Sequence, residues 1–167
     1  MSTYQIENQL SAEPADYRVP ASVATWTALT AAHRRLADEL STALRKHHQL
    51  SLNAHAVLTQ LVRAPEHKLR MTEIANRINF SLSGLTGLVG RLERDGLVER
   101  QSNFADRRVI YACLTDVGER YANEADTRHR DTLDALLNER LNSTELATLT
   151  ELLRRIASTD AKANGRV

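Results

Sequence analysis

The sequence predicts a mainly α-helical chain with one small β-hairpin, on three observations. Apolar stripes at helical spacing recur through most of its 167 residues, and only six glycines and three prolines interrupt them. Residues 97–114, LVERQSNFADRRVIYACL, read instead as two strand-like runs around a turn. Directly before them, residues 71–95 have the pattern of a helix, a turn and a second helix. Together these predict a winged helix-turn-helix with additional helices on its N- and C-terminal sides.

Taken in order, residues 1–19 lack periodicity and are expected to form a mobile arm. Pro20 suits the first turn of a helix running to about His48, with Val23, Trp26, Leu29, Leu36, Leu40 and Leu44 roughly on one face. The winged lobe follows over residues 51–115. Ser51 caps its first helix, Leu52, Ala56, Leu58, Leu61 and Val62 supply the apolar positions, and Pro65 marks the end. Leu69, Arg70 and Met71 form a short strand that pairs with the hairpin, and Thr72 caps the next helix. Ile74 and Ile78 face inward, Phe80 plugs the turn, and Asn79 adopts a left-handed backbone there. The helix from about Leu82 to Arg94 turns Leu85, Leu88, Val89 and Leu92 inward, and Gly96 closes it as a left-handed cap.

Beyond the hairpin, Thr115 caps a helix to about Leu141, with Asp116 complementing its dipole. Ser143 caps a last helix striped by Leu146, Leu149, Leu152, Leu153 and Ile156, and residues 161–167 fray. The C-terminal helices have too few apolar partners within the chain. Residues 20–50 and 116–160 are therefore expected to be dimerisation helices.

At 42% hydrophobic the chain can bury a core, but no apolar run approaches the ~20 residues of a membrane span. The polar start MSTYQIENQ has no signal pattern, so a cytoplasmic protein without a membrane partner is expected. The single Cys113 excludes an internal disulfide framework. No glycine-rich phosphate loop, nucleophile elbow or metal-ligand spacing is present; the chain reads as a non-enzyme with no cofactor.

Charge is distributed unevenly. Residues 63–108 hold nine Lys or Arg against six Asp or Glu, whereas residues 115–160 hold six against ten. The basic excess falls on the helix-turn-helix and hairpin, where phosphate contact would occur. At the hairpin tip, Asp106 would pair with one of Arg107 and Arg108 and aim it, while the other meets phosphate or a minor groove. On the helix before it, Ser83, Gly87, Gly90, Arg91 and Arg94 fall opposite the apolar stripe, flanked by Ser81 and Thr86. That face would enter a major groove of double-stranded DNA, with Ser81, Ser83, Thr86, Arg91 and Arg94 as candidate contacts. Arg91 and Arg94 also read as a solvated face, and the hydroxyls as caps. Glycines 84, 87 and 90 cost ~1 kcal/mol each relative to alanine, which either close packing or close approach to DNA must offset.

The stretch from MTEIANRINFSLSGLTGLVGRLERDGLVER to ADRRVIYACLTDVG resembles the MarR (multiple antibiotic resistance regulator) family of bacterial transcription factors. The family's Asp-x-Arg wing signature falls on Asp106 and Arg108, and its Leu-Thr-x-x-Gly exit on Leu114, Thr115 and Gly118. The resemblance covers about residues 32–156. It implies a homodimer with interlocking terminal helices, recognition helices in successive major grooves of a palindromic operator, and wings in the flanking minor grooves. It further implies a regulator, most often a repressor, released by a small effector. Relatives often carry arginine where this chain has Leu82 and Gly87, so its recognition helix offers few charged base readers.

Trp26, His33, His55 and Tyr111 are candidates for an effector cavity, since many relatives bind phenolic or aromatic acids; they read equally as ordinary core and surface residues. Some relatives bind zinc between the first, second and fifth helices, but here the fifth carries only His129, so histidines 33, 47, 48, 55, 67 and 129 read as non-ligands. Some sense peroxide through an N-terminal cysteine, which this chain lacks; Cys113 reads as a structural thiol. Sparse charge on the recognition helix leaves an alternative, a winged-helix protein-interaction module that does not bind DNA.

Overall fold

The computed structural model describes residues 19–104 and 106–158. The expected arm, apart from its last residue, and the fraying tail lie outside these residues. Six α-helices and three short strands are formed among them: α1 (Ala21–His48), α2 (Leu52–Val62), β1 (Lys68–Arg70), α3 (Met71–Arg77), α4 (Leu82–Arg94), β2 (Val98–Ser102), β3 (Ile110–Leu114), α5 (Asp116–Asn138) and α6 (Ser143–Ala157). No described helix is long and apolar enough to cross a membrane.

The chain divides into two compact units, residues 1–35 and 36–167, so α1 contributes to both. In the first, residues 21–35 are helical, and Val23 and Trp26 stand in solvent. In the second, α2 supplies the centre of the core: Val57, Leu58 and Leu61 are fully buried, as are Leu44, Ile74, Leu85 and Val89. Removing one such leucine side chain would cost about 2–5 kcal/mol. Ser51 caps α2 as expected, accepting the Ala54 N–H at 3.2 Å.

The sheet is antiparallel in the order β1-β3-β2. β3 pairs Ala112 with Leu69 on one side and with Arg100 on the other. Along β3 the faces alternate: Ala112 is buried, Ile110 and Leu114 pack on the core, and Tyr111 turns to the other side.

Both helices of the helix-turn-helix, α3 and α4, end in the same way. The N–H of Phe80 bonds the Ala75 carbonyl, and that of Leu97 bonds Leu92, each across a residue with positive φ, Asn79 (50°) and Gly96 (72°). Asparagine and glycine tolerate this backbone at little cost.

Several expected boundaries move. Thr72 does not cap α3; the helix begins at Met71, because β1 runs straight into it with Arg70 still paired to Tyr111. Ser143 is the first residue of α6 and Asn142 its cap: Asn142 Oδ1 accepts the Thr144 and Glu145 N–H groups at 3.0 Å, while Glu145 reaches back to the Asn142 N–H. α5 accordingly stops at Asn138, not near Leu141, leaving a turn that places this cap. On α6 no described residue is buried, and Leu149, Leu152, Leu153 and Ile156 are exposed.

Candidate nucleic-acid interface

α4 forms where its sequence calls for it. Ser81 accepts the Gly84 N–H at 3.2 Å and caps the helix, and Leu85, Leu88, Val89 and Leu92 face the core. The opposite side is open. Ser83, Thr86, Gly87, Arg91 and Arg94 are all exposed there. Ser83 and Ser81 bring their hydroxyls to 3.5 Å, and Thr86 donates to the Leu82 carbonyl at 2.8 Å. Arg94 donates through Nε to the Gly90 carbonyl, which folds its stem along the helix and leaves the guanidinium tip outward.

The three glycines of α4 differ. A Cβ added at Gly84 would lie 2.9 Å from the Phe80 ring, so close packing accounts for this one. At Gly87 nothing lies within 4 Å, and at Gly90 only the Arg100 guanidinium does, at 4.0 Å. Protein packing therefore does not require Gly87, and its bare backbone is part of the open face.

The wing is a frame of backbone bonds. Beyond the last strand pair, Ser102 with Ile110, the Asn103 N–H bonds Val109 O, and the Val109 N–H turns back to Asp106 O. For that reason Val109 belongs to the loop and not to the strand. Asn103 Oδ1 accepts the Asp106 N–H at 3.2 Å, and Asp106 Oδ1 accepts the Arg108 N–H at 3.0 Å. The expected pairing of Asp106 with an arginine side chain is thus corrected. Its carboxylate closes the turn, and both guanidiniums remain available. Among the described residues no carboxylate lies within ion-pair range of Arg91, Arg107 or Arg108.

Wing and helix are held together by residues the sequence did not single out. Arg100, on β2, donates its backbone N–H and its Nε to the Glu93 carboxylate of α4, at 3.2 and 2.8 Å. These bonds hold the Glu93 carboxyl below its ordinary pKa. Seven residues and a turn separate the partners, so only the sheet register reveals them. A cleft of about 280 Å³ lies between α4 and the wing, bordered by Arg70, Leu82, Thr86, Arg100 and Arg108.

The effector candidates have separate surroundings. Trp26 and His33 are exposed on the first unit's helix. His55, on α2, is buried with its ring centroid 4.5 Å from that of His129 on α5. Its Nε2 lies 3.6 Å from Asp126, beyond hydrogen-bond range, while the other Asp126 oxygen pairs with Arg130 at 3.2 Å. Burial, reinforced by His129, lowers the His55 pKa to about 4. Tyr111 instead accepts from Arg70 Nε at 3.3 Å, with Lys68 Nζ 4.7 Å from its ring centre, and the Arg70 bond lowers its pKa. Cys113 is half-buried, and burial raises its thiol pKa. Among the described residues no group of three His, Cys, Asp or Glu is placed to hold a metal.

A helix-turn-helix whose second helix presents a small, polar face, beside a hairpin carrying unpaired arginines, defines a winged helix-turn-helix protein. Residues 48–109 match the sequence model of the MarR family. The chain is 27% identical over 135 residues to the HTH-type transcriptional regulator MhqR of Bacillus subtilis, covering 81% of this chain and 90% of that one. It is 39% identical over 69 residues to the HTH-type transcriptional repressor YetL of the same organism, which covers 41% of each chain. In three dimensions it resembles Sco3205, a MarR family transcriptional regulator from Streptomyces coelicolor solved in complex with DNA. The TM-score is 0.76 at 27% identity, over 89% of this chain and 97% of that one.

Proposed function

We propose that this protein is a DNA-binding transcriptional regulator, a repressor in the first instance, that acts as a homodimer on a palindromic operator. The observation that carries the reading is the cleft in which Leu82 and Thr86 of α4 face Arg108 of the wing, with Arg91, Arg107 and Arg108 all exposed and without carboxylate partners among the described residues. Unpaired guanidiniums on a groove-sized helix and its neighbouring hairpin suit phosphate and minor-groove contact. In this reading Ser81, Ser83, Thr86, Arg91 and Arg94 face the major groove. Arg107 and Arg108 meet the minor groove or its phosphates, and Asp106 holds their turn. Dimerisation is supported by α6, whose Leu149, Leu152, Leu153 and Ile156 find no cover among the described residues. A small phenolic or aromatic effector would release the DNA, and the site of action would be cytoplasmic.

The second reading, a protein-interaction module, draws on the scarcity of charge along α4. In vitro selection from random duplexes followed by electrophoretic shift separates the two. A regulator enriches a palindromic sequence and binds it with affinity that falls steeply with salt. A protein-interaction module enriches nothing.

A further inference from the structure

Phe104 is the most exposed large apolar residue among those described, at 104% of its reference area. It stands between the end of β2 and the turn that carries Arg107 and Arg108. The loop bonds explain why the ring is held out: Asn103 is tied to Val109 and to the Asp106 N–H, and Asp106 in turn to the Arg108 N–H. The Phe104 ring stands in solvent and does not join the core cluster. An uncovered phenyl ring forgoes the favourable free energy of burial, which contact with a partner would recover.

The partner that matches an apolar ring flanked by unpaired arginines must offer apolar surface within a negative field. A duplex minor groove does so: its phosphates attract the guanidiniums, and its sugar walls and base steps receive apolar wedges. A protein groove would offer the ring a pocket but gives Arg107 and Arg108 no comparable complement.

We propose that Phe104 is a DNA-contacting residue, an apolar wedge that enters the minor groove beside Arg107 and Arg108 and selects for base steps that part easily. The proposal rests on the DNA-binding reading above. It adds a contribution to affinity that salt does not screen, and a preference for flexible pyrimidine–purine steps under the wing.

The test uses the full chain and a duplex obtained by in vitro selection with the wild-type protein, carrying 2-aminopurine at the wing position. Phe104→Ala should weaken binding about tenfold with an unchanged salt slope, because no charge is lost, whereas Arg108→Ala should lower the slope by about one. Phe104→Met should keep most of the affinity, and the 2-aminopurine fluorescence rise on binding should vanish only in the alanine variant. If Phe104→Ala binds as tightly as wild type while Arg108→Ala is weakened, the wedge is overturned and the DNA-binding reading stands. If the wild-type protein selects no duplex, both fall.

Discussion

Glu93 and Arg100 join α4 to the wing. One carboxylate takes both the backbone N–H and the side-chain Nε of Arg100, so the last turn of α4 and the third residue of β2 keep a set distance. If α4 and the wing contact DNA as proposed, one rigid mount lets them reach adjacent grooves without a search over relative angles. Glu93→Gln keeps the shape but weakens the grip on the guanidinium. It should lower affinity for a selected duplex about fivefold while leaving helix content unchanged by circular dichroism. Unaltered affinity would show that the wing is aligned by the sheet alone.

The wing arginines are expected to act separately. If one enters the minor groove, its alanine variant loses about 1–3 kcal/mol of binding, and the variant lacking only a phosphate contact loses about one unit of salt slope. Titrations of Arg107→Ala and Arg108→Ala at several salt concentrations assign the roles. A double variant with intact folding and wild-type affinity would remove the wing from the mechanism.

Gly87 weakens its own helix without any packing benefit, since an added Cβ meets nothing within 4 Å. Gly87→Ala should therefore stabilise the fold by about 1 kcal/mol. If the bare backbone lies close to the bases, the same change lowers duplex affinity. A variant that is more stable and binds equally well would mean that the groove leaves room for a side chain here.

Acid should loosen the lobe through His55. Its folded pKa, about 4, lies below the ordinary 6.5, so between these values the unfolded chain binds a proton that the folded chain refuses. The stability present above pH 6.5 is then lost as pH falls toward 4, by up to about 3 kcal/mol. His129 shifts in the same direction through its own burial, Asp126 opposes both shifts, and His48 and Arg63 add to that on His55. Urea midpoints measured from pH 7.5 to 4.5 should decline for wild type and flatten in His55→Leu. An equally steep decline in the variant would assign the acid sensitivity elsewhere.

Gly118 packs α5 directly against the backbone at Leu97, just before β2. A Cβ there would lie 1.9 Å from the Leu97 carbonyl oxygen, which already accepts from the N–H and the Oγ1 of Thr115. Backbone on both sides would have to move, so Gly118→Ala should cost about 3 kcal/mol and lower Tm by roughly 10 °C. A Tm within about 2 °C of wild type would show that α5 slides freely on this carbonyl.

What could be read in advance followed local chemistry. The bounds of α4 came from its apolar stripe, its serine cap and Gly96, all within fifteen residues of one another. The wing was visible from its two strand-like runs and the turn between them. Thr72 and Ser143 misled because each is a good cap residue whose place was taken, by a strand entering the helix directly in one case and by the Asn142–Glu145 reciprocal cap in the other. Asp106 was given the wrong partner, since whether its carboxylate takes a backbone N–H or a guanidinium depends on how the loop closes. The Glu93–Arg100 link and the His55–His129 pair were beyond reach for a different reason. Both are set by packing between elements, which a single sequence does not display.

The pairing of β1 with β3 has a dynamic consequence. Arg70 and Tyr111 are the partners that close the chain around α3, α4 and the wing, so every residue proposed to touch DNA lies inside one closed segment. Opening any part of it should require releasing the central strand, which is paired on both sides. Amide hydrogens of α4 and β3 should therefore exchange with a common free energy, as one cooperative block. The region proposed to read DNA would then be lost all at once rather than frayed piece by piece.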